Sequence, residues 1–267
     1  MNEQVLSPSA MMMFSSCEYA FKLKYIDKLK PVIEDDSALR LGKSVHAVLE
    51  HYYKNVNLNT QNPDVDLVEA LKKTAQEKWD RTCDAKKRDE MNNSIFLWLQ
   101  FEIQRFKKYK ELNILDRFVP VVVEEDVTDW QKKLRAIIDK RCIGQNGNMY
   151  ALDYKTDKNL PVLRNFIGDL KLIDDKYKIQ SALIAMVLQS QGIKLDNFYF
   201  QFIRFPDKLL SVPLVPELFI EVERLIVKIR ETTENEKNKK SCFYWNMKMV
   251  CKTENTCPQC ITSIEAL

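Results

Sequence analysis

Apolar residues recur at three- and four-residue intervals through the first part of the chain, the period of helices with one buried face. In "LSPSAMMMFSSCEYAFKLKYI", Met12, Phe14, Cys17, Phe21 and Tyr25 keep this spacing, and Ser7 or Ser9 can cap the first turn. A second helix is expected over "ALRLGKSVHAVLEHYYKNV", with Leu41, Val45, Val48, Leu49 and Tyr52 as its apolar stripe. The polar loop "NLNTQNPD" precedes two further helical stretches, residues 65–85 and 91–113. At "FVPVVVEEDV" the pattern becomes β-branched and strand-like. "KKLRAIIDKRCIG" and "MYALDYKT" follow on either side of the turn residues "QNGN", which predicts a β-hairpin. A helix over "DDKYKIQSALIAMVLQSQG" ends at Gly192, a residue suited to a left-handed cap. An aromatic strand, "NFYFQFIRF", and a final helix starting at "PELFIEVERL" complete the series. The order predicts one α/β domain over residues 1–267, with a helical insertion at about 55–115.

Composition narrows the class without naming a function. The 267 residues are 45% hydrophobic and 30% charged, the balance of a soluble globular chain. No apolar run approaches the ~20 residues a membrane helix needs, and the first residues lack a signal-peptide layout, so a cytoplasmic protein is expected. The net charge of +3 points to no partner. Clusters such as "RFKKYK" can meet phosphates, but a solvated helix face is the more common explanation of such runs. Seven cysteines in that compartment are not a disulfide framework, and Cys251, Cys257 and Cys260 crowd the C-terminal end.

The hairpin carries the chemistry. With its turn centred on Asn146, Asp139 and Asp153 face each other across the two strands, about 5 Å apart at Cβ. Two carboxylates that close repel unless a cation or a proton lies between them. Lys155 points to the same face as Asp153. Two acids and a lysine at one spot meet the needs of phosphodiester hydrolysis with Mg²⁺ or Mn²⁺. The carboxylates hold a hard cation that acidifies a water, and the lysine orients that water. The spacing also suits a salt-bridged pair on a solvent-facing sheet. Upstream, alternation sends Glu124 and Glu125 to opposite faces, and Glu125 is the one expected towards the site. Tyr154 and Tyr177, expected near the site, suit stacking on bases and internal packing equally.

The ordered motifs resemble the PD-(D/E)XK nucleases, in the RecB-like branch that carries an iron–sulfur cluster. That branch includes AddB-type helicase–nucleases, CRISPR-adaptation exonucleases and phage exonucleases. "LSPSAMMMFSSC" is similar to the opening Ser-x-Ser motif with its first cluster cysteine, Cys17, and "GKSVHAVLE" to the Gly-x-x-x-His signature, with Glu50 one turn beyond His46. "LRAIIDKR" and "LDYKT" resemble the motifs of the catalytic aspartates and lysine, and "KYKIQSALI" the Gln-x-x-x-Tyr helix. The resemblance implies a restriction-endonuclease-like core, a central mixed sheet flanked by helices. It implies Asp139, Asp153, Lys155 and Gln180 as catalytic residues, and His46, Asp139 and Asp153 as ligands for Mg²⁺ or Mn²⁺. It further implies a [4Fe–4S] cluster on Cys17, Cys251, Cys257 and Cys260 joining the two ends of the chain. From spacing alone these four thiolates suit Zn²⁺ as well. The implied substrate is DNA, single-stranded or at duplex ends, with a helicase, recombination or CRISPR-adaptation protein as partner. Three positions depart from the pattern: Ala136 where glycine is common, Ile184 in place of the tyrosine, and a Cys-x5-Cys-x2-Cys tail.

Overall fold

A computed structural model describes residues 5–28, 37–80, 82–160, 170 and 173–234. Cys251, Cys257 and Cys260, and with them the expected cluster site, lie outside the described residues.

Helix α1 (Pro8–Ser16) starts where expected, with Ser7 Oγ accepting from the Ala10 N–H at 3.2 Å. Instead of running on, it breaks at Cys17, whose extended backbone (φ −160°) opens α2 (Glu18–Phe21). The Cys17 sulfur caps that helix, accepting from the Ala20 N–H at 3.3 Å. A π-helical turn, Lys22–Ile26, continues it. Next come α3 (Ser37–Asn55), α4 (Pro63–Lys78) and α5 (Ala85–Glu111). The last two overlap the predicted stretches, but α4 ends seven residues earlier and α5 starts six residues earlier than expected.

Five strands form one mixed sheet in the order β1-β2-β3-β4-β5. They are β1 (Val122–Asp129), β2 (Leu134–Ile143), β3 (Met149–Lys155), β4 (Asn197–Phe202) and β5 (Leu209–Val212). Only β3 and β4 run parallel, and the crossover such a pair demands is supplied by α6 (Asp175–Ser190). Gly192 follows α6 at φ 78°, as a left-handed cap requires. Helix α7 (Pro216–Glu234) comes last. Strand β5, four residues long, is absent from the sequence expectation. Its run is too short for alternation to reveal it.

Alternation along β3 divides the interior in two. Ala151 joins a core made with α1, α6 and α7, whereas Leu152 and Tyr154 join one made with α3, α4 and α5. The predicted α3 stripe, Leu41, Val45, Val48, Leu49 and Tyr52, is buried throughout in the second core. Cys83 and Cys142 are buried small side chains, as expected of core thiols. Among the described residues no helix is long and apolar enough to cross a membrane.

The second core also holds a polar network. Glu102 on α5 accepts from Tyr53 at 2.7 Å and is gripped by Arg105, whose Nη2 also donates to the Phe118 carbonyl at 2.9 Å. Lys140 of β2, almost fully buried, donates to Tyr53 Oη at 2.9 Å and lies 5.2 Å from the Tyr154 ring centre. Burial lowers the Lys140 pKa, with Glu102 opposing the shift. The network fastens the helical layer to the two strands that bear the acidic hairpin.

Candidate active site

The hairpin register is the expected one. Lys140 pairs with Leu152 and Arg141 with Ala151, so one step further along Asp139 stands opposite Asp153. Both are buried at less than a tenth exposure, which is unusual for aspartates on a strand and implies built partners. Asp139 Oδ2 accepts from the Tyr154 N–H at 2.6 Å. Its Oδ1 lies 3.2 Å from His46 Nδ1. Helix α3 delivers His46 because its apolar stripe packs on the second core, which turns the adjoining edge towards the sheet. The edge of the Tyr154–His46 ring pair, at 6.2 Å and nearly perpendicular, fixes the imidazole from the other side.

Asp153 serves a second cluster. Its Oδ2 is 2.7 Å from Lys155 Nζ, an ion pair outside hydrogen-bond geometry, since the same oxygen has no hydrogen-bond partner among the described residues. Its Oδ1 accepts from Gln180 Nε2, and Gln180 Oε1 in turn accepts from Lys155 Nζ at 2.9 Å. Helix α6 thus brings the predicted glutamine onto the predicted aspartate and lysine. Phe200, paired with Asp153 in the parallel ladder, lies 5.1 Å from the lysine nitrogen.

Glu124, not Glu125, joins the site. Its Oε1 is 3.3 Å from His46 Nδ1. Glu125 instead accepts from Arg141 Nη2 at 3.2 Å. The reason is register: β1 and β2 pair Val123 with Lys140 and Glu125 with Ile138, so Glu124 stands opposite Asp139. At that point Glu124 has φ 49°, the left-handed region, and the ladder omits its pair. On β2, the alternation of buried and exposed residues likewise stops at Asp139, after which every residue to Cys142 is buried. Register counting from the hairpin could have identified Glu124; the backbone kink has no sequence signal, since glutamate does not favour positive φ.

His46, Glu124 and Asp139 therefore place one nitrogen and two carboxylate oxygens within 4.8 Å of one another. Asp153 is outside this trio, its oxygens facing Lys155 and Gln180. Their charges are strongly coupled. Burial opposes a charged His46, but Asp139, Glu124 and Asp153 outweigh it and push its pKa up to about 11. Burial and the neighbouring Asp153 push Asp139 up to about 6, with His46 and the Tyr154 N–H pulling the other way. Both shifts favour a proton held by the His46–Asp139 pair.

The remaining expectations separate clearly. Glu50 faces away and pairs with Lys54 at 2.5 Å. Tyr154 and Tyr177 are buried, Tyr154 at 6.2 Å from Trp98 and Tyr177 at 4.7 Å from Phe200, so both pack internally rather than offering a face to bases. At Ile184 the departure from the family pattern leaves an apolar side chain in the first core.

A family model described as "PD-(D/E)XK nuclease superfamily" matches residues 5–258. No curated protein sequence matches the chain. Among solved structures, one from Eubacterium rectale, named as a candidate exonuclease, is 15% identical, with a TM-score of 0.48 over 89% of this chain and 84% of that one. The structure of SSO0001 is 16% identical, with a TM-score of 0.30 over 91% of this chain and 95% of that one.

Proposed function

The chain belongs to the PD-(D/E)XK nuclease superfamily, and from that footing we propose that it is a metal-dependent deoxyribonuclease of the RecB-like branch. We read it as one nuclease domain that degrades single-stranded or end-exposed DNA. One observation carries the reading: a His–Glu–Asp trio within 4.8 Å adjoins a carboxylate–lysine–glutamine cluster on the next strand.

The donor set fits Mg²⁺ or Mn²⁺, because two carboxylate oxygens and one imidazole form a hard, sulfur-free site. His46, Glu124 and Asp139 would hold it; Asp153, the third ligand implied by the resemblance, faces Lys155 and Gln180 and lies beside that trio. A divalent cation there supplies Lewis-acid polarisation of a phosphate oxygen and acidification of the attacking water. The protein's own residues do the rest. Tyr154 holds Asp139 by its N–H and His46 by its ring edge, so the ligands are oriented beforehand. Asp153 and Gln180 hold the Lys155 ammonium, which has three donors, so that it faces the phosphate with a proton to share. Burial of Asp139 and Asp153 keeps bulk water from screening these charges.

The cluster proposal rests on the sequence resemblance: Cys17, with Cys251, Cys257 and Cys260, holds [4Fe–4S] and serves as a staple rather than as a hydrolytic group. A helicase, recombination or CRISPR-adaptation protein in the cytoplasm would supply the DNA end. The test of the activity is hydrolysis of 5′- and 3′-labelled single- and double-stranded oligonucleotides in Mn²⁺. Metal-dependent cleavage abolished by a chelator supports the reading, and an inert protein that binds Mn²⁺ overturns it.

A further inference from the structure

The turn joining β1 to β2 carries an exposed tryptophan. Trp130 is 68% exposed, the highest value among the large apolar side chains described. Lys132 is exposed beside it, and Lys133 places its Nζ 5.8 Å from the Trp130 ring centre. The tip is built rather than loose. Asp129, itself buried, accepts from the Lys132 N–H at 2.9 Å, and Lys133 turns the chain at φ 47°. Leu6 donates to the Lys133 carbonyl at 2.8 Å and accepts from the Arg135 N–H at 2.9 Å, while Arg230 of α7 donates to the Lys132 carbonyl.

The arm between tip and site has two unlike faces. Val127, Leu134, Ala136 and Ile138 are core, whereas Asp126, Arg135 and Ile137 are exposed. The one acid on the open face, Asp126, is neutralised by a two-pronged Arg135 contact. An open, charge-balanced track thus runs from beside Asp139 to a tip bearing an indole and two lysines. Among the described residues neither lysine has an ion-pair partner.

We infer that this hairpin is a binding platform for single-stranded nucleic acid, with Trp130 stacking on a base and Lys132 and Lys133 meeting the flanking phosphates. The inference builds on the nuclease reading. An exposed indole stacks on any base, and its hydrogen-bonding edge reads no sequence, so the platform is sequence-tolerant. Six strand steps, roughly 20 Å, separate Lys133 from Asp139. The platform therefore grips the substrate several nucleotides from the bond being cut.

The test is equilibrium binding of labelled oligothymidylates to the full chain in chelator, where no cleavage intervenes. Trp130→Ala should weaken binding of single strands roughly tenfold to a hundredfold, with Trp130→Phe retaining most of the affinity. Lys132→Ala with Lys133→Ala should flatten the salt dependence by about two phosphate contacts. Equal single-strand affinity for wild type and Trp130→Ala overturns the platform, as does an equal loss on blunt duplex. Because binding is read without turnover, a platform that holds in a protein that never cleaves would locate the failure in the nuclease reading instead.

Discussion

Glu124 stands opposite Asp139 across the β1–β2 ladder, and both carboxylates converge on a single atom, His46 Nδ1, at 3.3 and 3.2 Å. Glu124 reaches it from a left-handed backbone, φ 49°, where most residues are strained. Glu124→Gln keeps that backbone but removes a negative charge from the trio. Its Mn²⁺ affinity should fall about tenfold to a hundredfold by calorimetry, with thermal stability of the metal-free protein little changed. Unaltered affinity would remove Glu124 from the metal site.

Metal and proton compete for the same atoms. With His46 raised to about 11 and Asp139 to about 6, binding of Mn²⁺ at pH 7 must expel a proton from His46. Calorimetry in buffers of different ionisation enthalpy should show that release, and affinity should rise from pH 6 to pH 8. The sign for stability runs opposite. His46 has a raised folded pKa, so its contribution to the metal-free fold is full below about 6.5 and is lost only as pH climbs through about 11. For Asp139, also raised, the contribution is full below about 3.8 and is lost as pH rises through about 6. Mn²⁺ at about a hundredfold excess over its Kd should stabilise the fold by about 2.7 kcal/mol, more readily reached at pH 8 than at pH 6. A thermal midpoint insensitive to Mn²⁺ at both pH values would contradict the site.

Lys155 is separable from metal binding. Lys155→Met leaves His46, Glu124 and Asp139 in place, so Mn²⁺ affinity should stay within a few-fold of wild type. Its kcat should fall about a hundredfold or more, in the range of a lost general acid–base or charge-stabilising group. A loss confined to KM would assign the lysine to substrate binding alone.

Behind the site, Arg105 grips the buried Glu102, which also accepts from Tyr53. Arg105→Met leaves that carboxylate without its cation in the interior, a loss of about 3–5 kcal/mol. The thermal midpoint should drop by several degrees or more, and replacing Glu102 and Arg105 together by apolar residues should recover part of it. A midpoint unchanged in the single variant would contradict the network's role.

The cysteine proposal has its own readout. Protein prepared without oxygen should be brown and carry about four iron atoms per chain, with iron lost in Cys17→Ala. A colourless, zinc-loaded protein would replace the cluster by a tetrahedral Zn²⁺ staple.

Much of this architecture was legible because it rests on periodicity and local turns. The α3 stripe places His46 at the inner edge of its helix, and the turn at Asn146 sets Asp139 against Asp153. Gln180 was legible from its motif alone, and the fold brings it to Asp153 through the α6 crossover. What escaped depends on non-local geometry. Glu124 needed the β1–β2 register and a backbone kink that no residue type announces. The break at Cys17 interrupts a helical apolar pattern that runs through it unchanged. Strand β5 forms because β4 offers it an edge, not because four residues propose a strand by themselves.

On the proposed reading, the Asp139–Asp153 hairpin cuts phosphodiester bonds. The decisive measurement is hydrolysis of an end-labelled single-stranded oligonucleotide in Mn²⁺ by wild type and by Asp153→Ala. Wild type should cleave in a metal-dependent manner, and Asp153→Ala, still folded, should show no cleavage above background. Cleavage that survives Asp153→Ala would contradict that reading.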